Sequence, residues 1–331
     1  MYTINGALGS PYSMKMRALM RYRRIPHLWV HGADSRDALS KVKAPVIPVM
    51  EYPDGTFHND STPLIYDLEA RHTERSVIPP DPAHAFIAHL IEDFADEWVT
   101  KAMFGYRWLE EVDQIQMSRW LAFDAMKGGG LATSQSFAEQ FRARQVGRMA
   151  IVGCTRENFP LIEASTHALL AALEAHVVDR HCLFGTRPSL AEFGIYGQLS
   201  QLGVDPTAQT MMRKDYPYSF RWLLHIDDMS GIDGQWDAAQ APFAPIIASW
   251  LKQVGDIYMP FLLANAAAIE AGETTFSMTA MGLPYAQGVF KYQVKCLGDL
   301  RARYAALDSD AKAKLDPLLV EAGCLIALQA G

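Results

Sequence analysis

The residues best suited to chemistry lie near the start of this 331-residue chain, in the run Gly9-Ser10-Pro11-Tyr12-Ser13-Met14-Lys15-Met16-Arg17. Tyr2-Thr3-Ile4 ahead of the run reads as a short strand. Behind it, Met14, Met16, Ala18, Leu19, Met20 and Tyr22 form an apolar stripe of helical character, with Lys15, Arg17, Arg21, Arg23 and Arg24 between them. Pro11 suits the first helical turn, where its missing N–H has no partner to lose. Ser10 then falls at the N-cap, beside unsatisfied backbone N–H groups and the positive end of the helix dipole. A strand, a tight loop and a helix with a hydroxyl at its mouth can hold an anion. A thiolate is one anion that such a hydroxyl can activate. The plainer alternative is that Ser10 only caps its helix.

Other chemistries find little support. Cys154, Cys182, Cys296 and Cys324 are widely spaced with no C-x-x-C pair, which argues against a disulfide framework or a zinc site and suits a reducing cytoplasm. The ten histidines contain no H-E-x-x-H pattern, and His84 and His89, five apart, are poorly placed to share a helix face. No metal is expected.

The elements that must position Ser10 follow in order. Pro11–Arg24 reads as a helix and Ile25–His31 as a strand, with Pro26 marking its edge or first residue. Asp34–Lys43 has room for about two helical turns. Val46–Glu51 and Thr56–His58 flank a Pro53-Asp54-Gly55 turn, a hairpin signal. Asn59–Pro63 offers helix caps ahead of Leu64, Ile65, Leu68 and Arg71 at helical spacing. The result is a small α/β sandwich. Val77–Pro82 is proline-rich and reads as a linker, and everything beyond it reads as helical. Phe86, Leu90, Phe94, Trp98 and Ala102 recur every four residues, Gly128-Gly129-Gly130 marks a loop, and Leu161–Val178 is amphipathic. Ser189 and Glu192 form a capping box for the next helix. Helices are expected over about Pro242–Ala268, Leu283–Ala306 and Ser309–Leu328.

Half of the residues are apolar, so the chain can bury a large core in two domains. A net charge of −7 disfavours nucleic-acid or anionic-membrane partners. The basic cluster Lys15–Arg24 reads as the solvated face of its helix. The first residues lack a charged start followed by an apolar core, and no apolar run is long enough to span a bilayer, so a soluble cytoplasmic protein is expected.

The Ser-Pro-Tyr-Ser-x-Lys-x-Arg start, the Ile47-Pro48-Val49 run, Asp60-Ser61 ahead of a helix and the Ser189-x-x-Glu192 box resemble the cytosolic glutathione transferases. The resemblance implies a thioredoxin-like domain over 1–76, a linker over 77–83 and an all-α domain over 84–331, with extra helices from about 230. Pro48 stands where that family places a cis-proline, and Ile47 would pair its backbone with the cysteinyl part of glutathione; otherwise Pro48 simply ends a strand. Asp60 and Ser61 resemble the acidic-Ser pair that holds the γ-glutamyl carboxylate, though both could merely cap the next helix. Asp is a carbon shorter than the usual Glu or Gln, so the role passes more readily to Ser61.

By the same resemblance Ser10 would hydrogen-bond the glutathione sulfur. Lowering a thiol pKa by two units needs roughly 2.7 kcal/mol. One charge-assisted hydrogen bond of about 1.5–3 kcal/mol, with a dipole contribution of up to about 2, can supply it. Serine at both Ser10 and Ser13 excludes disulfide chemistry on this motif. Tyr12, Trp98, Tyr106 and Trp108 are the candidates for a second-substrate pocket, while Glu92, Asp93, Asp96 and Glu97 read as a solvated face or subunit contact. The chain runs well past the usual length of the family, and its aromatic tail could lid a cleft, widen a dimer interface or thicken the core.

The expected function is a glutathione transferase that adds the thiolate to a small, partly apolar electrophile. Two alternatives stay open: a non-catalytic binding or regulatory protein of the same fold, and a pathway-specific glutathione-dependent isomerase or lyase. A homodimer is expected by resemblance alone.

Overall fold

In the computed structural model, which describes residues 1–127 and 129–329, the opening apolar runs build one small sheet. Strand β1 (Tyr2–Gly6) leads into α1 (Pro11–Tyr22) and returns as β2 (His27–His31), parallel to β1. Helix α1 stops short of the expected Arg24 because Ile25 precedes a proline and cannot stay helical, and the chain turns at Arg24 with φ 54°. A short turn and α2 (Arg36–Leu39) lead to β3 (Val49–Glu51) and β4 (Phe57–Asn59), then α3 (Ser61–Arg71). Strand β3 is shorter than the sequence suggested because Pro48 has no N–H to give the ladder. The order is β2-β1-β3-β4, with β1–β3 and β3–β4 antiparallel. This is the expected thioredoxin-like sheet.

Beyond it the chain is largely helical: α4 (Pro82–Phe94), α5 (Thr100–Trp108), α6 (Glu111–Met126), α7 (Leu131–Val146), α8 (Phe159–Val177), α9 (Leu190–Leu202), α10 (Pro206–Asp215) and α11 (Pro217–Ile226). Then come α12 (Pro245–Gln253), α13 (Met259–Glu270), β5 (Thr275–Ala280), β6 (Leu283–Gly288), α14 (Lys291–Ala305), α15 (Ser309–Ala322) and α16 (Leu325–Gln329). The β5–β6 hairpin corrects the all-helical expectation and the helix expected from Leu283. Its turn, Met281-Gly282, has φ 50° and 74°, and α14 begins only at Lys291. Gly128, part of the expected Gly128–Gly130 loop, lies outside the described residues, as do Ala330 and Gly331 at the end of the expected 84–331 domain.

The described chain divides into two compact units. The first holds Met1–Val77, Tyr106–Gly147 and Glu192–Gly234; the second holds Ile78–Gly105, Arg148–Ala191 and Gln235 onward. In the second unit, Phe86, Leu90, Phe94, Trp98 and Ala102 are all buried as their spacing predicts. A strict four-residue repeat drifts around an α-helix, and the wider i→i+5 turns at Ala95–Val99 between α4 and α5 absorb that drift. Tyr258, Phe261 and Tyr285 of the long tail join Trp98 and Phe94 in one aromatic core, so these three thicken that core. Glu92 and Asp96 are buried, which corrects their reading as a solvated face. The Tyr258 hydroxyl donates to Asp93 at 2.6 Å, and burial drives the Asp93 carboxyl well above its usual range.

Within the first unit, α1 is not the amphipathic surface helix that its basic residues suggested. Lys15 is 0% exposed and Arg23 is 3% exposed. The helix is packed by α9 as well as the sheet: a Cβ added at Gly197 would lie 2.8 Å from Pro11 O and 3.0 Å from Lys15 Cβ, so only glycine permits this approach. The cations meet carboxylates from far along the chain. Arg17 Nη2 and Arg21 Nη1 reach Asp227 at 2.7 and 2.9 Å, Tyr196 Oη donates to the same carboxylate at 2.6 Å, and Arg23 Nη1 lies 2.8 Å from Glu69. These donors hold the Asp227 carboxyl below its usual range even though burial, the largest single influence, pushes it up. A carboxylate with a depressed folded pKa stabilises the protein above its unfolded value of about 3.9, and that contribution is lost as pH falls through the folded value. Asp227→Asn is expected to cost about 1–3 kcal/mol in urea unfolding at pH 7, since the pair is partly exposed, and to flatten the acid limb of the stability–pH curve. An unchanged acid limb in the variant would show that Asp227 does not clamp α1.

Candidate functional site

The register of the sheet brings three separate stretches to one end of it. Asn5 pairs with Val49, and Val49 with Asn59. One step further along, Pro48 therefore stands between Gly6 and Asp60. The Ala7–Ser10 loop, the Ile47-Pro48 bond, which is cis, and the start of α3 thus share a single edge of the molecule.

Ser10 is the N-cap of α1, with extended backbone (φ −108°, ψ 119°) and 8% exposure. Its Oγ accepts from the Ser13 N–H at 3.3 Å, the expected capping bond. An acceptor role leaves the hydroxyl proton available to a donor bond. Ser13 is fully buried and accepts from the Ala7 N–H at 3.3 Å, so it braces the loop and does not face a ligand. Tyr12 is half-buried in the first turn.

Ile47 is half-buried, and among the described residues nothing hydrogen-bonds its backbone. Asn59 Nδ2 donates to Ala44 O at 2.6 Å and Val46 O at 3.3 Å, which steadies the strand-like approach to it. Asp60 caps α3 with φ 77°, a left-handed value rare for a non-glycine residue and costly by about 1–3 kcal/mol. The start of α3 is further marked by Ser61, whose buried hydroxyl accepts from Lys15 Nζ at 3.3 Å. A buried cation, a hydroxyl and a helix N-terminus make a place for a carboxylate.

Arg107 near the end of α5 fixes the loop that leads into Ser10. It is 3% exposed; its Nε lies 3.1 Å from both oxygens of Asp205, which is 0% exposed. Its Nη2 donates to Gln201 Oε1 at 2.8 Å, and its Nη1 donates to Gly9 O at 2.7 Å. Gln201 in turn donates to Leu8 O at 3.2 Å. Burial pushes the Asp205 carboxyl up to about 6 against the pull of Arg107.

Beside this loop lies a cavity of about 660 Å³. Leu8, Gly9 and Met14 form one wall, and Met117, Trp120, Leu121, Phe123 and Asp124 of α6 form another. The aromatics expected to line such a pocket are elsewhere. Trp98 is buried in the second unit, where its indole N–H donates to Ser165 Oγ at 3.1 Å. Tyr106 and Trp108, 5% and 1% exposed, are core residues of the first unit, and neither they nor Tyr12 lines the cavity. Long apolar rings between packed helices are buried first. The wall of this cavity is carried by the stripe Met117, Trp120, Leu121, Asp124, spaced i, i+3, i+4, i+7. Among the described residues no group of three or more His, Cys, Asp or Glu could hold a metal ion, and no helix is long and apolar enough to cross a membrane.

Residues 5–76 match the family described as glutathione S-transferase, N-terminal domain, and that segment is such a domain. No curated protein matches the chain. Among solved structures, a glutathione S-transferase from Methylobacterium radiotolerans in complex with glutathione sulfonate is 20% identical; the likeness covers 73% of this chain and 98% of that one, with a TM-score of 0.43. One from Rhodospirillum rubrum is 15% identical over 76% of this chain and 92% of its own, with a TM-score of 0.44. One from Methylobacillus flagellatus with glutathione bound is 16% identical over 70% and 96%, with a TM-score of 0.39.

Removing one member of the buried pair leaves the other charge uncompensated. Arg107→Ala is expected to lower stability by about 3–5 kcal/mol in urea unfolding. The double replacement Arg107→Met with Asp205→Leu should recover most of it, and a double variant as unstable as the single one would assign the loss to the Gly9 and Gln201 bonds instead.

Proposed function

We propose that this protein is a glutathione transferase in which Ser10 stabilises the thiolate of glutathione for attack on an electrophile held in the adjacent cavity. The carrying observation is one of placement: a hydroxyl caps α1, and its chain neighbours Gly9 and Met14 line an apolar cavity. An anion formed at that mouth meets backbone N–H groups and the helix dipole on one side and an apolar reactant on the other.

The rest of the edge suits the remainder of the tripeptide. The open backbone of Ile47, next to Pro48, fits strand-like pairing with a cysteinyl unit. Ser61, with Lys15 behind it and Asp60 beside it, fits the γ-glutamyl carboxylate at the start of α3. The sulfur lone pair forms the new C–S bond, and the displaced electron pair leaves with the departing group or takes up a proton at the adjacent carbon. The proposal keeps the domain division at 1–76, 77–83 and 84–331, a cytoplasmic setting, a homodimer, and no metal. A second reading has an observation of its own. The Ser10 Oγ already serves as a cap and is nearly buried, which fits a non-catalytic binding protein of the same fold.

Ultraviolet titration of the bound thiol separates the two. Ser10→Ala should raise the pKa of bound glutathione by about 1–2 units and lower kcat/KM with a model electrophile by about 10–100-fold at neutral pH, with little change in affinity. Ser10→Thr should recover much of the rate. Ser10→Asp caps a helix as well as serine does but repels a thiolate, so it should fold normally and turn over poorly. A bound-thiol pKa that ignores all three substitutions would sink the catalytic role.

A further inference from the structure

The wall of the cavity contributed by α6 is apolar except at Asp124. Its aromatic neighbours on that helix, Trp120 and Phe123, are 50% and 75% exposed, so their faces are open to a ligand. Trp120 stands four residues before Asp124 and so on the same side of the helix. Among the described residues, no side chain hydrogen-bonds or pairs with the Asp124 carboxylate. Two cations of the neighbourhood are engaged elsewhere: Lys127 pairs with Asp34, and Arg36 Nη2 donates to Ala125 O at 3.0 Å. Burial drives the Asp124 carboxyl up, with only the charge of His31 working against it.

The backbone that carries Asp124 is packed tightly from behind. A Cβ added at Gly32 would lie 2.1 Å from Asp124 O, and Gly32 has φ 69°, so the backbone of α6 is locked against the end of β2 by a contact that excludes any side chain. A half-buried carboxylate with no side-chain hydrogen bond, in a cavity wall that also carries Trp120 and Phe123, is costly unless a ligand supplies positive charge. Carboxylate and ring faces together attract an ammonium group, by ion pairing and by the cation–π effect.

We propose that this cavity selects an organic cation, a molecule with an apolar body and an ammonium-type end, and that Asp124 is the residue that selects it. The proposal rests on the reading of the cavity as the second-substrate site, and it names the substrate class: an electrophile whose reactive carbon sits toward Gly9 and Met14 and whose cationic end faces Asp124. About 660 Å³ is ample for such a molecule.

Calorimetric titration of the full chain, without glutathione, uses 4-phenylbutylamine, protonated at pH 7.5, against 4-phenylbutanol. The wild-type protein should prefer the amine by about tenfold or more, and Asp124→Asn should cut that preference to about threefold or less while leaving alcohol affinity in place. Retained alcohol binding reports an intact cavity, and Asp124→Glu should restore most of the preference. Equal affinities in the wild type, a preference that survives Asp124→Asn, or no binding of either compound would overturn the proposal. Amine preference in a protein that binds no tripeptide supports the cavity assignment and sinks only the transfer reading. Tripeptide binding with no amine preference does the reverse.

Discussion

Helix α1 must be buried along its body and open at its mouth. Its body carries three cations and its end two more, yet Lys15 and Arg23 are inside the protein and Arg17 nearly so. Such a helix can pack against a sheet on one side and α9 on the other only if carboxylates and carbonyls arrive to meet the charges. Asp227, Glu69 and the Ser61 hydroxyl do so, each at a fixed distance. Ion pairs of this kind add little net stability over apolar packing, but they are unforgiving of a wrong register. The direction of α1, and hence of its N-terminus, follows from where they sit.

The mouth of α1 is fixed by a second buried pair. Arg107 and Asp205 do not touch the place where an anion would sit. They hold the carbonyls of Leu8 and Gly9, with the help of Gln201, and so determine the shape of the loop that delivers Ser10. The same loop is one wall of the apolar cavity. One small structure therefore has a polar face toward α1 and an apolar face toward α6. That division suits a reaction between a stabilised anion and an apolar partner, since the low dielectric on one side strengthens the field on the other.

Much of this was legible in order along the chain. Pro11 after Ser10, the Asp54-Gly55 turn and the caps before Leu64 are local signals, each acting through the backbone of a few residues, and the elements they mark are where they were expected. The hairpin at 275–288 is not legible in the sequence although Thr275–Ala280 alternates buried and exposed positions, because six residues cannot outweigh the helical pattern on either side. The Lys15–Arg24 cluster reads as solvated for a different reason. Nothing in positions 15–24 says that Glu69 and Asp227 will be its neighbours.

The pocket shows the same limit. Trp98, Tyr106 and Trp108 had the right side chains, and so did Trp120 and Phe123; which set lines a cavity depends on how tightly each helix is covered. Local sequence determined the strand, loop and helix that present Ser10, the prolines and caps that end the elements, and the resemblance of residues 5–76 to a known domain. Only the tertiary structure decided that Lys15 and Arg23 are buried and that Arg17 and Arg21 meet Asp227, that α6 walls the cavity, and that among the described residues no side chain hydrogen-bonds the Asp124 carboxylate. The physical reason is that propensity and capping act over a few residues, whereas burial and charge pairing depend on atoms brought together from opposite ends of the chain.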